Sequence, residues 1–480
     1  MKGFFPSLLL CLLLVCLSVG CHAAKSVEPD LFPTHYRINA RLSPEQKTLE
    51  VQTEIEYACP TDDLSAVKLR LYANAYQEGK ALVTADKRSA VYPGGVADYG
   101  GCKELEVLAE GKAASYDLGD GTVMTLRLPR KYQKGESIAL RIVQTVTLAK
   151  CRHRLGYTDG YYTLSDFYPQ LCPFRAGKYL VRDYTPYGDP FVRENADFEV
   201  DLTLPLGYEC AASALEMRRE KQGTFNCFSY RMEGARDFAA VCSQKMRLTE
   251  TTAGNTVIRY YRESDPDPQK TLSAIAGSVQ TFCDLFGAFP YPSYTVVLAP
   301  FFEAGVEHSG LSVISYTLSA AARNATILHE TAHQWWFGKV GNDEYQNAWM
   351  DEGLAEYAVA AYYRSTGLNS AYRAKIQEAE DAYAIRLALT GSEGTRFDAS
   401  LDELGEGYYD RVYCGGLLLF SSLAEKFGAN AFHAALRRYA DLYQGRIAAP
   451  SDLISCLSSA LGEDLSSYFT AWLTGVVPVQ

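Results

Sequence analysis

The sequence predicts a multidomain α+β chain, with an all-β N-terminal domain, sandwich or saddle shaped, followed by a mainly helical domain. Three observations carry this expectation. From Tyr36 onward apolar and polar residues alternate with period two, the mark of strands with one wet face. From Leu272 onward the apolar residues fall at helical spacing. The pattern changes just after the polar run Thr249 to Asn255. With 480 residues and 48% hydrophobic content, the chain is long enough for two or three domains with real cores.

The chain opens with Met1-Lys2-Gly3, an apolar run over Leu8 to Val19, and Ala23-Ala24, which reads as a secretory signal over residues 1–24. The expectation is export to the periplasm, the extracellular space or the cell envelope. Ser18-Val19-Gly20-Cys21 loosely resembles a lipoprotein processing site, which would anchor the protein to a membrane through a lipidated Cys21. Ten cysteines follow Cys21 singly, without a C-x-x-C pair, so disulfides are permitted and not required.

Residues 25–252 are expected to form the β domain. Tyr36, Ile38, Ala40 and Leu42 point to one side, Ser43-Pro44-Glu45 turns, and Leu49, Val51, Thr53, Ile55 and Tyr57 alternate with Glu50, Gln52, Glu54 and Glu56. Further strands are expected at Val67 to Leu71, Met124 to Leu128, Ile138 to Leu148, Phe198 to Leu204 and Phe238 to Val241.

Residues 253–480 are expected to form the second domain. A strand at Thr256 to Tyr261 leads to Asp265-Pro266-Asp267-Pro268, a helix-start signal. Leu272, Ile275, Val279, Phe282 and Phe286 then mark a core helix stopped by Gly287. An apolar strand at Tyr294 to Leu298 precedes an edge strand bearing Glu307. The next helix should run from Ala320 to Phe337 with Gly338 as C-cap, and another from Asp351 to Arg364. Helices are also expected at Ala371 to Leu389, Gly415 to Lys426, Asn430 to Tyr443, Ser451 to Leu461 and Leu465 to Leu473. Trp335, Trp336 and Trp349 read as packing between helices, and Glu356 as a solvated helix carboxylate with a supporting role as the alternative. The sequon Asn324-Ala325-Thr326 falls within a helix and carries no weight.

Chemistry concentrates in His329-Glu330-Thr331-Ala332-His333. Two histidines four apart project from one helix face and can grip one metal ion, while Glu330 on the flank can reach a water beside it. A catalytic zinc needs a third protein ligand, and Glu352, eighteen residues beyond His333, can return alongside on the next helix. His329, His333 and Glu352 are the expected ligands of one Zn2+ per chain, and Glu330 the general base. Isolated helix histidines are usually structural, but only seven histidines occur here and two form this motif.

His329-Glu330-x-x-His333, eighteen residues and Glu352 within Trp349-Met350-Asp351-Glu352-Gly353 together resemble the zinc core of the M1 family of aminopeptidases. Ala304-Gly305-Val306-Glu307-His308 resembles that family's Gly-Ala-Met-Glu-Asn motif, and Tyr413-Cys414-Gly415-Gly416 its Tyr-x-Lys-Gly element. The resemblance implies a thermolysin-like catalytic domain, Glu307 as the group that binds the substrate's free amino terminus, and Tyr413 as the donor that stabilises the transition state. It also implies that the aromatic stretch Tyr157 to Tyr187 borders the active site. Val306, His308 and Gly415 depart from the family's Met, Asn and Lys. Larger members continue into a β-module and a helical domain, so a short form with a more open cleft is expected.

The implied function is hydrolysis of the N-terminal peptide bond of peptides. A net charge of −11, a pI near 5.3 and the lack of a Lys/Arg-rich block exclude nucleic acid as a partner. The competing readings are a zinc endopeptidase with the same ligands, which would ignore Glu307, and a non-catalytic surface binding protein on the same fold.

Overall fold

The computed structural model describes residues 34–475 apart from Asp120 and Asp183. The expected signal over residues 1–24 and Cys21 lie outside the described residues. Thr34–Ser43 and Thr48–Ala58 pair antiparallel with Tyr36 opposite Ile55 and Leu42 opposite Leu49, so both apolar sets share a face, as the alternation predicts. They sit inside an eight-stranded sheet ordered Glu216–Gln222, Phe225–Ala235, Ala196–Pro205, Thr34–Ser43, Thr48–Ala58, Ser137–Thr147, Gly101–Ala109 and Lys112–Ala113. Thr34–Ser43 runs parallel to Ala196–Pro205, which requires a long crossover and explains why the partner is distant in sequence.

Two four-stranded sheets cover this one. One contains Glu209–Ala212, Ala240–Ser243, Tyr161–Leu164 and Leu155–Thr158; the other Gln170–Leu171, Leu64–Arg70, Val123–Tyr132 and Tyr116–Asp117. Ile38, Val51 and Ile142 from the large sheet, Val67 and Leu126 from one small sheet, and Leu164 and Cys242 from the other meet in a single core. Several of these strands carried no sequence expectation. Gly101–Ala109 and Glu216–Gln222 are polar or glycine-bearing and lack a clean alternation, so only their pairing makes them strands.

The polar run Thr249 to Asn255 is largely strand. Arg247–Ala253 is a strand that pairs antiparallel with Thr256–Arg262 at the edge of a five-stranded sheet, and the expected division at 252/253 falls inside this hairpin. The sheet continues through Ser293–Ala299 and Leu311–Ser315 to the edge strand Gly305–His308. Its two faces have different neighbours. Tyr261, Val297, Leu311 and Val313 pack with Tyr161, Ala211 and Val241 of the β half. Ile258, Tyr260, Val296 and Leu298 pack under Leu272, Ile275 and Val279 of the helix Pro268–Phe286. That helix has the cap the sequence announces: the Asp267 side chain accepts from the Lys270 N–H, Pro268 opens the first turn, and Gly287 at φ +95° ends it.

The five long helices Asn369–Thr390, Gly415–Phe427, Ala429–Leu442, Pro450–Leu461 and Ser466–Leu473 lie within two residues of their expected ends, whereas the short helices Arg88–Val91, Glu344–Asn347 and Leu401–Leu404 carried no expectation. The three tryptophans are buried as expected. Trp335 meets Phe282 and Phe289 edge-on and donates to the Gly287 carbonyl at 3.0 Å, Trp336 meets Phe286, and Trp349 lies against Phe469. All ten described cysteines are free thiols; Cys210 and Cys242 on adjacent strands lie 3.7 Å apart at Sγ. No helix among the described residues is long and apolar enough to cross a membrane.

Candidate metal centre

The helix that presents the histidines starts at Ser319, whose side chain accepts from the Ala322 N–H, and runs over Ala320–Ala332. Thr331 faces the sheet: its hydroxyl donates to the Ile327 carbonyl at 2.6 Å and lies 3.1 Å from the Tyr294 hydroxyl. The expected extension to Phe337 is not formed. Regular helix stops with His333 as C-cap residue, still in the right-handed helical region, so the four-residue relation to His329 survives. The chain then widens, the Gly338 N–H reaching back to the His333 carbonyl, and the Trp336 carbonyl turns to accept from His333 Nδ1 at 3.0 Å. That bond directs Nε2 of His333 towards the centre.

Glu352 opens the helix Glu352–Ser365. Its return is secured by the loop before it, where Asn342 donates to the Asn347 carbonyl at 3.1 Å and to Asp351 at 3.0 Å. Glu352 Oε2 lies 3.1 Å from His329 Nε2 and 3.3 Å from His333 Nε2, and the two ring nitrogens are 3.1 Å apart. A tetrahedral zinc with ligands at 2.0–2.1 Å has edges of about 3.3–3.4 Å, so this triangle has the size of a zinc-ligand face. The acid–base state points the same way. Burial disfavours a charged imidazole, but Glu352 and Glu356 outweigh it and push His329 up to about 10, while burial of Glu352 is overcome by the two histidines, which hold its carboxyl low. Such a cluster requires positive charge at its centre, and a divalent ion replaces the protons. The donor set fits zinc.

The other candidate site residues surround this triangle. Glu330 is buried, and its Oε2 has no hydrogen-bond partner in the protein, which leaves it free to bind water. Burial pushes its carboxyl up to about 8; His329 and His333 oppose this, whereas Glu307 and Glu352 add to it. Glu307 lies on the edge strand as expected, and ligand atoms of Glu307, Glu330 and His333 fall within 4.8 Å of one another. Burial raises the Glu307 carboxyl too, with Asp189 adding to the effect. Tyr413 sits in a π-helical turn, Tyr409–Cys414, of the kind that often marks functional sites. Its ring stacks on His329 with centroids 5.7 Å apart, and its hydroxyl faces Glu352, which together with burial keeps the phenol protonated. Gly416 makes this approach feasible: a Cβ there would stand 2.6 Å from the Gly353 Cα, so the two helices cross with glycine against glycine. Gly415 faces Phe397 and Tyr383, which occupy the space a side chain would need.

All six sequence-selected residues are therefore drawn to one place. Three of them, His329, Glu330 and Tyr413, line a cavity of about 730 Å³ whose walls also include Asp189, Gly305 and Lys375. A neighbouring cavity of about 1020 Å³ shares Lys87, Gly188, Tyr408 and Tyr409 with it. The expectation for Glu356 is corrected. It is buried, with Oε1 2.8 Å from His329 Nδ1 and its other oxygen paired with Lys375, so it supports the ligand instead of facing solvent. Its position one turn after Glu352 was the available signal. Asp189, paired with the buried Arg154, had no such signal. Of the aromatic stretch, Pro186 and Tyr187 line the neighbouring cavity, whereas Gln170 is engaged with Asp166 at 2.9 Å and Arg193 at 3.3 Å. His308 does not face the centre at all.

A largely buried His-His-Glu triangle flanked by an unpartnered glutamate is the donor arrangement that zinc-dependent hydrolases use. Residues 274–472 match the family model of the Peptidase family M1 domain. The chain is 27% identical over 240 residues to aminopeptidase M1-B of rice, covering 46% of this chain and 27% of that protein. It is also 27% identical over 205 residues to aminopeptidase N of Streptomyces lividans, covering 39% and 23%. The matched stretch thus spans about a quarter of those relatives. Among solved structures, an M1 zinc metallopeptidase from Deinococcus radiodurans superimposes with a TM-score of 0.67 at 19% identity, over 93% of this chain and 95% of that one. A mutant of that metallopeptidase bound to a Tyr-Ser-Ala substrate has the same score.

Proposed function

We propose that this protein is a zinc-dependent aminopeptidase that removes the N-terminal residue of peptides. The observation that carries the reading is the convergence of a ligand triangle with a free carboxylate, Glu330, on one side and a second buried carboxylate, Glu307, beside it. Zinc held by His329, His333 and Glu352 would supply a Lewis acid that polarises the scissile carbonyl and acidifies water. Glu330 takes the proton from the attacking water and delivers it to the leaving amine, a role suited to a carboxyl whose affinity for protons is raised by burial. Tyr413 donates a hydrogen bond to the oxygen on which negative charge develops. Glu307 pairs with the substrate's ammonium group and sets the first peptide bond against the centre.

An endopeptidase would have no use for a carboxylate buried at this position, because a chain running past it offers no cation to offset the desolvation. Export, with residues 1–24 as leader and Cys21 as a site for lipid, belongs to the same proposal; the mass of the mature N-terminus from fractionated cells tests it. The function is tested with aminoacyl-arylamides and their N-acetylated counterparts, before and after chelation and zinc return. Activity restored by zinc and lost on acetylation is expected. Cleavage indifferent to acetylation would make Glu307 a bystander, and silence with zinc bound would favour a binding role.

A further inference from the structure

Glu307 stands on a strand with a ladder neighbour on one side only, which leaves it fewer backbone constraints than an interior strand has. Recognition of an ammonium group nevertheless needs its carboxylate fixed to a fraction of an ångström. The next residue, His308, is 0% exposed; its Nδ1 lies 2.6 Å from Asp237 Oδ2 and its Nε2 2.9 Å from Ser165 Oγ. The other oxygen of Asp237 accepts from the Ser309 N–H at 2.8 Å. From the opposite direction Gln334, adjacent to ligand His333, donates to the His308 carbonyl at 3.1 Å and accepts from the Gly310 N–H at 2.8 Å.

The distances among Ser165, His308 and Asp237 match those of a hydroxyl nucleophile with its base, but at 1%, 0% and 2% exposure no substrate reaches them. Their effect is mechanical. Successive side chains leave a strand from opposite faces, so His308 grips the β half while Glu307 projects the other way. We propose that His308, clamped between Asp237 and Ser165, is a positioning residue that fixes Glu307 and so sets the selectivity for a free amino terminus. The inference rests on the reading of Glu307 given above.

The test compares Asp237→Asn, His308→Leu, His308→Asn and the milder Ser165→Ala with Glu307→Ala in the zinc-loaded enzyme. Zinc content, Tm, kcat and KM on leucyl-arylamide and its N-acetylated form, and inhibition by free leucine, are measured for each. We expect KM and the inhibition constant of leucine to rise about 10- to 100-fold in His308→Leu and Asp237→Asn, as a misplaced binding group would cause. Zinc content and the residual cleavage of the acetylated substrate should stay unchanged, kcat on the free-amine substrate should change far less than KM, and His308→Asn, which keeps a donor towards Asp237, should recover part of the loss. Variants that lower Tm while leaving KM and the leucine constant at their original values would overturn the proposal, and Ser165→Ala reads the same quantities should the stronger variants fail to fold. If Glu307→Ala itself leaves both constants unchanged, the reading of Glu307 fails and this inference falls with it.

Discussion

The edge strand Gly305–His308 and the helix Ala320–Ala332 each deliver a buried carboxylate to the same cluster, Glu307 from one and Glu330 from the other. The helix fixes its groups from within. Backbone bonds along the turn set His329, Glu330 and His333 relative to one another, Ser319 caps the helix, and Thr331 ties it to Tyr294 of the sheet. The strand lacks such a local frame; its end at His308 is held by Asp237, Ser165 and Gln334, 26 to 143 positions away in sequence. Local geometry places the proposed base; long-range contacts place the carboxylate proposed to bind the amino terminus.

Glu330→Gln sharpens the comparison most. It should lower kcat by about 10²- to 10⁴-fold while zinc content and Tm stay put, since the helix needs nothing from that carboxylate. Loss of zinc together with activity would show that the helix depends on its base. Gly305→Ala acts across the two elements: its Cβ would lie 2.5 Å from Glu330 Oε1, so the base must swing aside. A fall in kcat on the order of 10²-fold is expected, with KM nearly unchanged.

Glu356→Gln probes the support of a helix-borne ligand. Removing the charge beside His329 should weaken zinc affinity by about 10- to 100-fold in chelator competition, leaving kcat of the fully loaded enzyme within a few-fold. Gly416→Ala tests a place where the helical half also relies on distant contact. Forcing a methyl against Gly353 should cost about 1–3 kcal/mol in urea denaturation and misplace Tyr413.

The smallest effect is set by pH and lies in the β half. His153 accepts from the Tyr76 hydroxyl at its Nδ1, 2.6 Å away, and lies on Phe302; burial, aided by Arg154 and Lys87, pushes it down to about 3. A folded value below the ordinary 6.5 means that the native state holds the neutral ring, so its contribution is intact above about pH 6.5 and is lost as pH falls towards 3. The slope is at most ~1.4 kcal/mol per pH unit for one proton. In His153→Gln the denaturation midpoint should fall less steeply between pH 6 and 4; an unchanged slope would assign the acid sensitivity to carboxylates.

Much of this molecule can be read without its structure because its rules are local. Two histidines at i and i+4 face one way on any helix, Asp267-Pro268 and Gly287 start and stop one, and alternation puts Tyr36 to Leu42 on one side of any sheet. Glu307 and Tyr413 were legible only through resemblance, since their own neighbourhoods contain nothing that distinguishes them from other glutamates and tyrosines. Tertiary structure alone decided that the histidine helix ends at Ala332, because the Trp336 carbonyl is taken by His333. It also decided that the polar run at 249–255 is largely a strand, that Glu356 is buried beside His329, and that His308 turns from the cleft to Asp237. The physical reason is the same in each case. The sequence specifies each residue's immediate turn or strand, whereas the partner of a buried charge is whatever the packed chain brings within hydrogen-bond reach.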